Sequence, residues 1–160
     1  MNRKRLGGAL LLSLLLLAAS SVFAEETIIT NTKVITVTPT IETSAYAAGD
    51  VIGEEMTFSG AGRSHIKSGM VQQVTMTDLG AEGKNVELIL FDTQLANSTI
   101  TDNSAFDPAD ADLLTAVCRI TISSHSSFND NGMSSAGNIA CPVENATTLY
   151  GILVAREAVT

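Results

Sequence analysis

The chain has 160 residues, with 9 Lys+Arg against 17 Asp+Glu, 4% aromatic residues and two Cys. A formal charge of −8 disfavours nucleic acid as a partner, because phosphate repels an acidic surface. An apolar content of 45% is too high for intrinsic disorder, and two Cys are too few for a disulfide-dense miniprotein.

The chain opens on a basic stretch, Asn2–Arg5 (NRKR), followed by Leu6–Ala19 without a charge. Ser20–Ala24 (SSVFA) then places Val22 and Ala24 at −3 and −1 of a cleavage point before Glu25. This is the layout of a secretory signal peptide over residues 1–24, an apolar helix cleaved after Ala24. The apolar run is shorter than the roughly 20 residues that cross a bilayer. The alternative is an uncleaved N-terminal anchor. No Cys sits at the cleavage point, so a lipoprotein anchor is not indicated. The predicted location is therefore periplasmic, extracellular or cell-surface, with the membrane engaged only by the leader during export. Loss of Arg3, Lys4 and Arg5 leaves 6 basic against 17 acidic residues, a net charge of −11. Such a surface favours solubility and disfavours anionic partners.

Beyond Ala24 the sequence predicts an N-terminal strand segment, residues 25–43, and a body over residues 44–160, together one mature domain. Thr27–Thr38 (TIITNTKVITVT) is dense in β-branched residues, which suit a pleated surface, and Pro39 stops it. Val51–Ser59 reads as a strand ended by Gly60-Ala61-Gly62. In Met70–Thr77 (MVQQVTMT), Met70, Val74 and Met76 are predicted on one face and Gln73, Thr75 and Thr77 on the other. Val86–Asp92 (VELILFD) is nearly all apolar, the mark of a central strand buried on both faces. Asp107–Leu114 is the one helix candidate, with Asp107 as cap and Pro108 in the first position. Val117–Ser123 alternates as a strand. Ser124–Gly137 is polar and reads as a loop or long hairpin tip. Asn138–Val143 and Thr148–Glu157 complete the set. Seven or eight short strands with regular turns predict an all-β, single-domain β-sandwich of jelly-roll type with one short helix.

Candidate sites are few. A hairpin turning at Asn129–Asp130 puts Cys118 opposite Cys141, and export permits a disulfide there. An Asn131-Gly132 turn instead puts Cys118 opposite Asn145 and disfavours the bridge; two separate thiols are then expected. Asp102, Asp107, Asp110 and Asp112 place four carboxylates in eleven residues, enough oxygen for Ca²⁺. Their spacing does not match an EF-hand loop, and helix capping already accounts for Asp107 and Asp110. His125 lies among Ser123, Ser124, Ser126 and Ser127 with Asp130 nearby, but a triad draws its members from separate elements, so a solvated loop His is expected. Gly60–Ser64 (GAGRS) lacks the Lys of a phosphate loop and reads as a turn. Neither HExxH nor CxxC occurs, and His65 stands apart. No cofactor, resident metal or catalytic residue is predicted. Asn97 and Asn145 begin N-x-T triplets, which matter only in a glycosylating host.

Five segments carry a resemblance: Ser44–Ser59 (SAYAAGDVIGEEMTFS), Gly69–Leu79 (GMVQQVTMTDL), Val86–Asp92, Ser98–Leu114 (STITDNSAFDPADADLL) and Thr148–Arg156 (TLYGILVAR). Together, in this order, they resemble a family of small β-rich virion structural proteins of tailed bacteriophages. The resemblance implies capsid decoration or a tail-associated role, with no chemistry. An export leader departs from that family, whose members assemble in the cytoplasm; here it implies a virion-type domain directed outward. Family members also continue into one more strand after the segment matching Thr148–Arg156. Either that edge strand is lost here or the chain is truncated; a missing strand exposes an unpaired sheet edge beside that segment, open to a second copy. The functional expectation is a non-enzymatic, self-associating structural protein whose partners are its own copies or other structural proteins. The competing reading is a β-sandwich binding module that uses the Ser44–Asp50 and Asp102–Asp112 loops.

Overall fold

The computed structural model describes residues 32–80 and 82–159. The signal peptide, its cleavage after Ala24 and the first part of Thr27–Thr38 lie outside the described residues. Nine strands and one short helix follow: β1 (Met56–Ser59), β2 (Gly69–Val71), β3 (Val74–Asp78), β4 (Val86–Phe91), α1 (Asp110–Leu113), β5 (Ala116–Ile122), β6 (Ser124–Ser127), β7 (Gly132–Ala136), β8 (Cys141–Val143) and β9 (Thr148–Ala155). The protein is mostly antiparallel β. β1-β9-β4-β5 form one sheet, β3-β7-β6 a second and β2-β8 a third.

β4 and β9 lie side by side at the centre, paired from Val86↔Ala155 to Phe91↔Tyr150. Alternation sends their side chains to two faces. Val86, Leu88 and Leu90 join Leu149 and Leu153 on one face, where Val71, Val74, Met76, Ala136 and Val143 of the other sheets also pack. Ile89 and Phe91 join Ile152 and Val154 on the opposite face, which Val51, Leu95, Ile100 and Phe106 cover. Each fully buried aliphatic or aromatic side chain contributes about 1.5–3 kcal/mol, so two doubly buried strands dominate the stability.

The unpaired edge expected beside Thr148–Arg156 is not there. β9 pairs with β1 on one side and β4 on the other, and Val154 is 0% exposed. An apolar run reports burial on both faces, but it does not report which strand lies alongside. The edges of this sheet are β1 and β5.

Met70–Thr77 is two strands, not one. The break at Gln72-Gln73 shifts the alternation, so Val74 and Met76 turn inward while Met70 is exposed. Ser124–Gly137 is a hairpin: β6 and β7 pair through His125↔Ser134, and Phe128 N–H donates to Asn131 O at 2.7 Å. The chain thus reverses at Asn129–Asp130. The helix is a single turn that starts later than its sequence signals indicate. Its N-cap is Ala109, without a side-chain cap, so Asp107 does not cap it. Ser98 Oγ accepts the Ala109 N–H at 2.9 Å instead. Among the described residues, 32–43 belong to no ladder.

Two glycines are required by close approach. Gly53 has φ +79°, and a Cβ there would lie 2.9 Å from Pro39 Cβ and Thr40 O. A Cβ on buried Gly62 would lie 1.9 Å from Ala146 O. Val154→Lys and Gly62→Ala are therefore each expected to cost about 3 kcal/mol or more, the first by burying an unpaired charge and the second by forcing backbone apart. Urea denaturation of each variant checks this; midpoints equal to that of the parent protein would contradict it.

Candidate functional site

The two loops named as binding candidates are bonded to each other. Asp50 and Ala105 form a bridge. Val51 N–H donates to Ser104 O at 2.8 Å, and Phe106 N–H donates to Gly49 O at 3.0 Å. Asn103 Nδ2 donates to Ser44 Oγ at 2.9 Å. Asp102 is the latch. Its Oδ1 accepts Gly53 N–H at 2.7 Å. Its Oδ2 accepts Glu42 N–H at 2.7 Å and the Tyr46 hydroxyl at 3.2 Å. Burial first, and the Asp102 bond second, push the Tyr46 phenol up to about 12.

Asp112 is a second latch. It is almost completely buried, where an isolated carboxylate would be costly. Three donors satisfy it: Ser98 Oγ at 2.6 Å, Asn97 Nδ2 at 2.8 Å and Asn97 N–H at 2.9 Å. The Ser98 hydroxyl foremost, then Asn97, hold its carboxyl down to about 2 against the upward push of burial. Asp107 and Asp110 are exposed. The four aspartates do not converge, and among the described residues no group of three or more His, Cys, Asp or Glu side chains is arranged to hold a metal ion.

Cys118 and Cys141 are joined by a disulfide, with Cα atoms 6.0 Å apart. The turn at Asn129–Asp130 brings their strands together, but they are not partners in one ladder. Cys118 on β5 pairs with Leu90, and Cys141 on β8 pairs with Val71. The hairpin changes sheets along its length, so the bridge fastens the four-stranded sheet to the β2-β8 pair.

His125 has partners that the sequence did not point to. Its Nδ1 lies 2.6 Å from Ser134 Oγ, and its Nε2 lies 3.3 Å from Asn85 Oδ1. Asn85 Nδ2 donates to Glu157, which turns its oxygen toward the ring. In the neutral ring Nε2 is therefore the donor, and Nδ1 accepts the Ser134 hydroxyl. A serine, an imidazole and an orienting amide are in line, yet Ser134 is only 2% exposed. A nucleophile must meet its substrate, and this hydroxyl faces the interior. The group acts as a buried polar tie between β6, β7 and the start of β4. The signal that was available was the strand pairing: a hairpin reversing at Asn129–Asp130 already sets His125 opposite Ser134.

Glu87 is the one charge on β4, 4% exposed. Arg119 Nε lies 3.2 Å from its Oε1, and Arg156 Nη2 donates to its Oε2. Both arginines are diagonal neighbours, Arg119 on β5 and Arg156 just past the end of β9, as the pairings Ile89↔Arg119 and Glu87↔Val154 require. One concavity, of about 440 Å³, is lined by Glu54, Glu55, Gln94, Leu95, Ser98 and Ile100. Glu55 is already engaged there, accepting Leu95 N–H at 2.9 Å.

Two outcomes follow. Asp112 has a lower pKa folded than its ordinary 3.8, so its stabilisation is full above about pH 4 and is lost as pH falls toward 2. Asp112→Asn should flatten the melting temperature across that window; an unchanged pH profile would contradict the assignment. Reduction of Cys118–Cys141, which spans 23 residues, should lower stability by about 3 kcal/mol, read from urea midpoints with and without reductant.

No protein-family model matches this chain, and neither a curated protein nor a solved structure does.

Proposed function

We propose that this chain is an exported, non-enzymatic structural protein that works through contact with its own copies or with other structural proteins. In this reading its sheets close as a β-sandwich of jelly-roll type, and the domain is of virion type, serving capsid decoration or a tail-associated role. One observation carries the reading. The side chains that would mark a chemical site serve the fold instead: Asp102, Asp112, His125, Ser134 and both cysteines are spent on internal bonds.

Three further points support it. The five-segment resemblance implies an assembly role. The leader implies passage to an oxidising compartment, where a disulfide persists. Among the described residues every sheet ends on strands with one unpaired edge, and strand addition is a ready means of joining copies. The loop-based binding module loses its main support, because its two loops satisfy each other.

The test is a secreted preparation of the protein, with its N-terminus determined by sequencing and its particle mass by light scattering and electron microscopy. The expected result is a chain beginning at Glu25 that forms rings, small oligomers or filaments. A monodisperse monomer that binds a glycan or peptide would overturn the reading.

A further inference from the structure

We propose that the basic turn at residues 63–67 of one copy seats in the groove lined by Glu54, Leu95 and Ile100 of the next. This rests on the self-association reading above and adds a side-chain contact to it.

Positive charge on this acidic chain is gathered in one place. Beyond Ala24 the basic residues are Lys33, Arg63, Lys67, Lys84, Arg119 and Arg156. Arg119 and Arg156 are committed to Glu87. Of the others, Arg63 and Lys67 lie within residues 60–69, and Lys33 Nζ donates to Ser59 O at 3.1 Å where that segment begins. The segment turns tightly and is fixed to the body. Lys67 N–H donates to Arg63 O at 2.7 Å, and Arg63 N–H donates to Ser68 O at 2.8 Å. Ala146 N–H donates to Lys67 O at 3.1 Å, and Gly62 N–H donates to Thr147 O at 3.3 Å. Arg63, His65, Ile66 and Lys67 are all exposed there, Ile66 at 62%. Among the described residues the Lys67 ammonium has no partner.

The groove is the complement of this turn. It holds about 440 Å³ and combines Glu54, Glu55 and Gln94 with the apolar side chains of Leu95 and Ile100. Glu55 is fixed by the Leu95 N–H. The Glu54 side chain is exposed and has no partner among the described residues. The chain's own residues 60–69 do not line the groove.

A second copy is the occupant that charge selects. Copies with a net charge of −8 repel one another wherever acid meets acid. Setting the turn against the groove brings the gathered positive charge onto carboxylates. The turn is exposed as it stands, so no segment has to detach before the copies meet. One exposed ion pair adds little affinity. Burial of Ile66 against Leu95 and Ile100 supplies the affinity, and Lys67 facing Glu54 sets the orientation. Glu54 and Glu55 immediately precede β1, whereas the turn follows it. The two surfaces are therefore different, and the contact runs head to tail. Such a contact repeats into a ring where the rotation closes and into a filament where it does not.

Lys67 and Glu54 are exposed and outside every ladder, so reversing either charge leaves the body intact. Light scattering of the full chain is expected to give a single-chain mass for Lys67→Glu and for Glu54→Lys, each with the circular dichroism of the parent protein. The variant carrying both reversals is expected to recover the parent mass. The parent mass in either single variant, or a single-chain mass in the double variant, would overturn this contact and leave self-association standing. A monomeric parent protein would overturn both.

Discussion

The pairing of β4 with β9 is the constraint on which the rest of the structure depends. Each strand is buried on both faces, so neither can exist without cover above and below. The β2-β8 and β3-β7-β6 sheets supply cover on one side. The chain around Val51, Leu95 and Phe106 supplies it on the other. The single carboxylate in the pair, Glu87, is tolerated because Arg119 on β5 and Arg156 just past β9 reach it. Removing one partner of such a buried set is costlier than never having built it.

Around this centre the polar side chains serve as fasteners. Asp102 gathers the backbone of Glu42 and Gly53 with the Tyr46 hydroxyl. Asp112 gathers Asn97 and Ser98. The disulfide and the His125–Ser134 tie hold the hairpin sheets against the centre.

Much of the fold was legible in the sequence because burial leaves a pattern. VELILFD announces a doubly covered strand, and the turn at Asn129–Asp130 sets both the hairpin register and the approach of the two cysteines. Lateral order was not legible. The apolar run of β9 is the same whether it sits at an edge or between two neighbours, and the sheet's edges are β1 and β5 instead. The break at Gln72-Gln73 left no Gly or Pro to mark it, and Met70 turned outward as a result. Asp107 and Pro108 carry good helix-start signals, but Ser98, eleven residues earlier, captures the Ala109 amide and sets the start. The aspartates looked like one cluster in sequence, yet Asp102 and Asp112 are drawn to donors from different segments, while Asp107 and Asp110 stay exposed.

The central claim is that this body acts by contact through an open strand edge. Hydrogen–deuterium exchange of the full chain at low and high protein concentration tests it most directly. The account predicts that amides of at least one of the outer strands β1, β2, β3, β5, β6 and β8 gain protection as concentration rises, while those of β4 and β9 stay equally protected throughout. Exchange that is independent of concentration at all of these outer strands would contradict it.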